Sequence, residues 1–294
     1  MTQSTLQGSF QDKPRSLWSD AWRRMRYGVT ARIGMVIVGI IVLVAIVTPI
    51  VDPYNPKLDS DLENARQPPS RRHIFGTDNL GRDIFRRILH GARLSLSVGL
   101  VAVAVSGTGG TILGLVSGYF GGAVDMVIMR LIDILMAFPG MLLAIAIVAA
   151  RGTGLFNTIV ALSVVGVTGY ARLVRSMVLS LREREYVVAA RMVGVRSPRI
   201  IFRHILPNSL APLIVSATMG IGGRILTAAA LGFLGLGAPP PAPEWGVMIS
   251  DGRPFLRQMP HMVFFPGMAI MFTVVGFNLL GDGLRDALDP QMQE

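Results

Sequence analysis

Six long apolar runs decide what this 294-residue chain can fold into. Ile33 to Val51 is the clearest: about 19 residues with no charge, which at 1.5 Å per residue reach across a hydrocarbon core about 30 Å thick. The others are Leu94 to Phe120, Ala123 to Ala150, Leu155 to Tyr170, Asn208 to Leu236 and His261 to Leu280. With 51% hydrophobic and only 16% charged residues, the chain lies outside the range of soluble domains. The expected fold is therefore all-α and integral to the membrane, with six transmembrane helices. A cleaved signal peptide does not fit the first run, because its apolar core is long and no small-residue cleavage site precedes Asp52.

The formal charge of +10 raises the question of nucleic acid. No basic stripe interleaved with aromatic residues accompanies it, and the arginines gather beside the apolar runs. Positive-inside topology accounts for the excess, and no nucleic acid is expected as a partner. A polar tail leads to Trp18, Trp22, Arg23, Arg24, Arg26 and Tyr27, either an interfacial helix or a plain basic flank, while Asp52 follows the other end of the first run. Eight arginines lie between Arg172 and Arg203, after the fourth run. Both contrasts place the two termini and this basic segment in the cytoplasm.

Between the runs, Gly76 to Asp83 (GTDNLGRD) combines glycines with alternating charges and reads as a compact turn whose charges pair locally; Asp78 and Asp83 are otherwise the weak case for a ligand. The second run is dense in small residues, and Gly110 with Gly114 has the spacing that lets helices approach closely, read here as packing within a bundle rather than dimerisation. Arg130 and Asp133 are spaced to pair on one helix face. Phe138-Pro139-Gly140 interrupts the third run as a kink, static or used in gating. Arg224, near the middle of the fifth run, is either a pore-lining charge or a structural partner of an aspartate or carbonyl. Ala238 to Pro243 reads as a stiff polyproline-like stretch, with Trp245 after it at headgroup level.

The chain lacks the marks of catalysis. No GxxxxGK[ST] loop, GxSxG or SxxK is present, the four histidines are scattered, and the absence of cysteine removes disulfides, thiolate chemistry and cysteine metal sites. No catalytic residue and no metal ligand is assigned. The chain reads as a conduit, not an enzyme, whose energy comes from elsewhere.

Arg184 to Pro207 is the one long basic segment between two membrane runs, and it reads as a docking surface. Tyr186 to Val193 can form a short helix whose Ala189 and Ala190 admit a close neighbour, and Gly194 ends it in a left-handed conformation. Ser197 and Pro198 read as the cap and first turn of a second helix toward His204. Pro207 opens the next run, with Asn208 and Ser209 as cap candidates. Two classes remain: a permease subunit driven through this surface by a separate ATPase, or an ion-coupled secondary transporter. The second calls for an internal repeat and intramembrane carboxylates. Asp125, Asp133 and Asp282 all lie near the cytoplasmic ends of their runs and no duplication is visible, which favours the first.

The segment resembles the cytoplasmic loop of inner-membrane permeases of bacterial ABC importers, whose pattern is EAA, three residues, G, nine residues, IxLP. Ala189, Ala190, Gly194, Leu206 and Pro207 fall on that spacing; Val188 and His204 depart from it, and Glu185 lies one turn before Val188. GTDNLGRD with GARLSLSVG from Gly91, LGFLGLGAPPPAPEWG from Leu231 and NLLGDGLRDALDP from Asn278 narrow the resemblance to the second permease subunit of the dipeptide, oligopeptide and nickel importer family. It implies an N-terminal cytoplasmic segment at 1–32, a first transmembrane helix at 33–51, a periplasmic loop at 52–90, a permease core with five helices at 91–285 and a cytoplasmic tail at 286–294. It further implies a heterodimer with a related permease in the bacterial inner membrane, two cytoplasmic ATPases that hold ATP and magnesium, and a periplasmic solute-binding protein. Glu185, Tyr186, Ala189, Ala190, Gly194 and Pro207 would form the ATPase-coupling loop. Di- or oligopeptides are the first choice of solute, with glutathione, nickel chelates and other peptide-like solutes open.

Overall fold

A computed structural model describes residues 17–55 and 59–288; the polar tail before Leu17, residues 56–58 with the Pro56 of the expected turn, and the last six residues of the C-terminal tail lie outside the described residues. Ten helices follow one another: α1 Leu17–Tyr27, α2 Val29–Val51, α3 Ile84–Phe120, α4 Gly122–Met136, α5 Gly140–Arg151, α6 Leu155–Leu181, α7 Glu185–Met192, α8 Ser197–Phe233, α9 Trp245–Gly252 and α10 His261–Leu288. In lipid every backbone N–H and C=O must be satisfied within the protein, and continuous helices do this. α2, α3, α6, α8 and α10 are each long and apolar enough to cross a membrane.

α4 and α5 supply the sixth crossing as a broken pair. They meet at 87° across Ala137 to Pro139. α4 starts beside the α3–α6 contact at which the Arg182 guanidinium donates to Gly118 O at 3.0 Å. After α5, Thr158 near the start of α6 donates to Leu236 O at 3.4 Å, at the opposite end of the bundle. The pair therefore carries the chain from one end to the other. One end of the bundle bears α7; the other bears residues 52–83 and 234–260, called here the loop end.

Close approach of small residues builds the frame. Gly110, Gly114 and Gly118 form one ridge of α3, and α6 lies directly on it: a Cβ at Gly110 would stand 2.5 Å from Tyr170 Cβ, at Gly114 2.6 Å from Ala171 O, and at Gly118 2.8 Å from Val178 Cβ. The small-residue spacing thus serves packing within the bundle. α2 and α10 meet in the same way, with Gly34 against the Leu279–Leu280 backbone and Gly283 against Ala31. Between lipid-solvated helices there is no hydrophobic drive, so this dense dispersion contact is what holds them. α8 packs on both α3 and α10 and joins the two pairs.

Several boundaries differ from the sequence reading. α3 begins at Ile84, ten residues before the apolar run, because the Asp83 carboxylate accepts from Arg86 N and caps it. α8 starts at Ser197 with Pro198 in its first turn, as expected, although Arg196 and not Ser197 holds the cap position; because the helix is continuous to Phe233, Asn208 and Ser209 cap nothing. Asn208 and Ser209 donate back to His204 O and Ile205 O at 2.6 and 3.0 Å, as polar side chains do inside a helix. A π-helical turn over Ile201–Ile205 makes room for Pro207, whose ring would otherwise crowd the preceding turn. α10 runs on to Leu288 rather than ending at Leu280. Asp133 pairs with Arg172 at 2.5 Å, not with Arg130. Ala242 N donates to Pro239 O, so the proline stretch turns rather than forming a rod. Trp245 is buried, not at a headgroup surface: its Nε1 donates to Ile88 O, and Gly91 leaves room for its ring.

Candidate coupling surface and intramembrane site

α7 is an eight-residue helix whose two sides differ sharply. Val187 points inward and is fully buried in a cluster with Leu115, Val174, Val178, Ile200, Ile201 and Ile205. Tyr186, Val188, Met192 and Val193 face outward, the last two 83% and 80% exposed. An isolated helix this short is marginal, and its single buried anchor leaves the exposed apolar side unexplained by the chain's own packing.

Its C-terminus is fixed by a Schellman arrangement. Val195 N donates to Ala190 O and Gly194 N to Arg191 O, both at 3.1 Å, with Gly194 at φ 79°. Ala190 and Val195 add the accompanying apolar contact, both packed on the Val187 cluster. Ala190 therefore faces the bundle and only Ala189 is open to a neighbour. Glu185 and Val188 are both exposed and three residues apart, hence on one face. Pro207 is exposed but lies in α8 beyond the π turn. The rings of Tyr186 and His204 lie 6.2 Å apart, and Arg191 lies over Tyr119 at 5.6 Å, tying the loop to α8 and to the end of α3.

The loop end holds a charge cluster that the sequence reading found only in part. Asp78 and Arg82 pair within the Gly76–Asp83 turn as expected, at 2.6 Å. Arg87, on the first turns of α3, also reaches Asp78, at 2.5 Å, and Asp251 of α9 stands 3.6 and 3.7 Å from Arg87 and Arg82. Burial pushes the Asp251 carboxyl above the usual aspartate range, against the pull of Arg87 and Arg82. Outside this core, Arg86 bridges Asp52 and Asp59, and that bond holds Asp52 below its usual range. Asp83 binds His73 with its second oxygen. Glu244 caps α9 through Gly246 N and Val247 N; burial raises its carboxyl pKa. The carboxylates are thus committed to arginines and caps, and among the described residues no group of three His, Cys, Asp or Glu is placed to hold a metal.

Arg224 projects from α8 toward α6. A Cβ on Gly166 would lie 3.0 Å from its Nη2, and the Tyr170 hydroxyl lies over Gly220, one turn earlier on α8. Neither aspartate nor carbonyl meets it among the described residues, so the structural pairing left open by the sequence is not found.

Residues 110–294 match the family model described as binding-protein-dependent transport system inner membrane component, and residues 16–69 match the N-terminal transmembrane domain of oligopeptide transport permease C. The chain belongs to this permease family. It is 52% identical over 278 residues to the dipeptide transport system permease protein DppC of Alkalihalophilus pseudofirmus, covering 95% of this chain and 91% of the relative. Identity to the glutathione transport system permease protein GsiD of Pectobacterium atrosepticum is 45%, covering 95% and 93%. The fold is also that of a permease in a structure titled inward facing conformations of the MetNI methionine ABC transporter, with a TM-score of 0.57 at 17% identity over 70% of this chain and 98% of that one. The chain is therefore a multi-pass permease subunit of an ABC importer, one component of an assembly that includes a binding protein, ATPase and partner permease. The ion-coupled alternative is set aside.

Proposed function

We propose that this permease forms, with a related permease, the passage by which di- or oligopeptides cross the bacterial inner membrane, driven by two ATPases docked at the α7 end. The similarity to a dipeptide permease along almost the whole chain carries the choice of solute. The outward apolar side of α7 supports the docking: Tyr186, Val188, Met192 and Val193 present a patch that a cleft on a soluble subunit would cover. In this reading ATP and magnesium bind in the ATPases and this chain catalyses nothing. ATP binding draws the ATPases together, α7 moves with its partner, and because Val187 anchors it to α3, α6 and α8, the bundle rocks as a body to open toward the binding protein. Hydrolysis returns it. Both termini and α7 lie in the cytoplasm, and the binding protein meets the loop end.

Val188 occupies the place of the family's glutamate, so docking here rests on apolar contact, with Glu185 as the carboxylate on the same face. Substituting Met192→Asp puts a charge in the centre of that contact. We expect loss of ATPase co-purification and at least a tenfold fall in peptide uptake, about the effect of one unpaired charge in an apolar interface, while the permease still reaches the membrane. Unchanged uptake and unchanged association would overturn the docking assignment.

A further inference from the structure

Arg224 is the charge that neither the coupling surface nor the loop cluster explains. It lies nine residues before the end of α8 at Phe233, about 14 Å along the axis, near the middle of a hydrocarbon core about 30 Å thick. A guanidinium keeps its charge at any ordinary pH, so its burial demands a counter-charge or water. Elsewhere the chain supplies the counter-charge itself: Arg82 and Arg87 meet Asp78, Arg172 meets Asp133 and Arg175 meets Asp125. For Arg224 it supplies none among the described residues.

The residues about Arg224 on α6 and α8 are small. Gly166 and Ser106 meet beside its guanidinium, and Gly169 on α6 and Gly223 on α8 have nothing within 4 Å of where a side chain would begin. Met219, one turn before Gly223, lines a cavity of about 700 Å³ between α6, α8 and α10 that extends toward the α7 end past Ser216, Asn208 and Arg285. Arg224 does not itself line this cavity, whose last lining residue on α8 is Met219, five positions earlier. An intramembrane cation without a counter-charge in its own chain fits a ligand that arrives and leaves, and the planar guanidinium fork matches a carboxylate through two hydrogen bonds.

We propose that Arg224 is the carboxylate-binding residue of the translocation passage, holding the C-terminal carboxylate of the peptide in transit. This rests on the peptide-import reading and adds a chemical requirement to it: solutes with a free carboxylate pass faster than their neutral derivatives. The glycines around the site keep the pair accessible to water, which limits its strength and allows release.

The test uses the complete transporter in proteoliposomes and compares the unchanged chain with Arg224→Gln and Arg224→Lys. Uptake of alanyl-alanine is measured against uptake of its C-terminal amide, each at concentrations that saturate the binding protein so that its own preference drops out. Arg224→Gln is expected to lower uptake of the free acid about tenfold, the loss of one charge-assisted hydrogen-bond pair, and to leave the amide within about twofold; Arg224→Lys recovers part of the loss. Equal falls for both peptides, or no fall in either, overturn the proposal. So does an Arg224→Gln chain that no longer co-purifies with its partner permease, since the guanidinium would then hold a subunit carboxylate. An unchanged transporter that moves neither peptide overturns the peptide-import reading, and this inference with it.

Discussion

Asp78 shows how one buried side chain can organise a loop. Its Oδ1 accepts from Leu80 N and Arg82 N at 2.8 and 2.9 Å, closing the turn, while Oδ2 accepts from Arg82 Nε and Arg87 Nη1 at 2.6 and 2.5 Å. Asp78, Arg82 and Arg87 are each no more than 2% exposed. Replacing Asp78 by asparagine keeps the shape but leaves two buried guanidiniums with only Asp251, which is farther away. Removing one partner of a buried pair costs about 3–5 kcal/mol. The expected outcome is a lower unfolding temperature for the purified complex and faster trypsin cleavage at Arg66, Arg71 or Arg72, and a melting curve like that of the unchanged protein would refute it. The Asp78–Arg82 half of this site was legible in GTDNLGRD because both residues sit in one turn. Arg87 was hidden because the apolar pattern extends the loop to His90 and starts the helix late, and Asp251 joins from a distant segment that no local pattern connects to residue 78.

At the scale of elements, the glycine ridge of α3 is the feature on which the bundle depends. Its small-residue composition was readable, but not the identity of its partner: only the fold shows that Gly110, Gly114 and Gly118 all face α6. Gly114→Leu would drive a side chain into Ala171 O and Val174 Cβ, atoms 2.6 and 2.7 Å from the added Cβ and both on or next to backbone. Overpacking of this kind costs about 1–3 kcal/mol where side chains can yield, and here the backbones must separate. Gly107→Leu, on the same helix with nothing within 4 Å, is the control. We expect the first variant to lose most of its assembled complex on size-exclusion chromatography and the second to match the unchanged chain; equal yields would show that α3 and α6 tolerate separation. The helix ends were the less legible part, and for a common reason. Asn208 and Ser209 are capping residue types, yet a π turn absorbs Pro207 and carries α8 through both. Trp245 likewise suits an interface by type and is drawn inside by the space at Gly91.

For the whole molecule, six crossings follow from joining α4 to α5 through an 87° break, which puts α7 and the 52–83 loop on opposite faces of the membrane. The sequence carried this topology through its apolar runs and through the arginines before Ile33 and after Tyr170, since positively charged flanks resist translocation. The proposed cytoplasmic placement of α7 rests on that bias, and the cysteine-free chain offers a direct test. Leu62 is 70% exposed at the loop end and Met192 is 83% exposed on α7, so a single cysteine at either place is open to a maleimide. A membrane-impermeant maleimide should label Leu62→Cys in right-side-out vesicles and Met192→Cys only in inverted ones. The reverse pattern would invert the orientation and put α7 out of reach of any cytoplasmic ATPase. Labelling of both from one side would mean that α4 and α5 return to the face they left, so that the number of crossings is five.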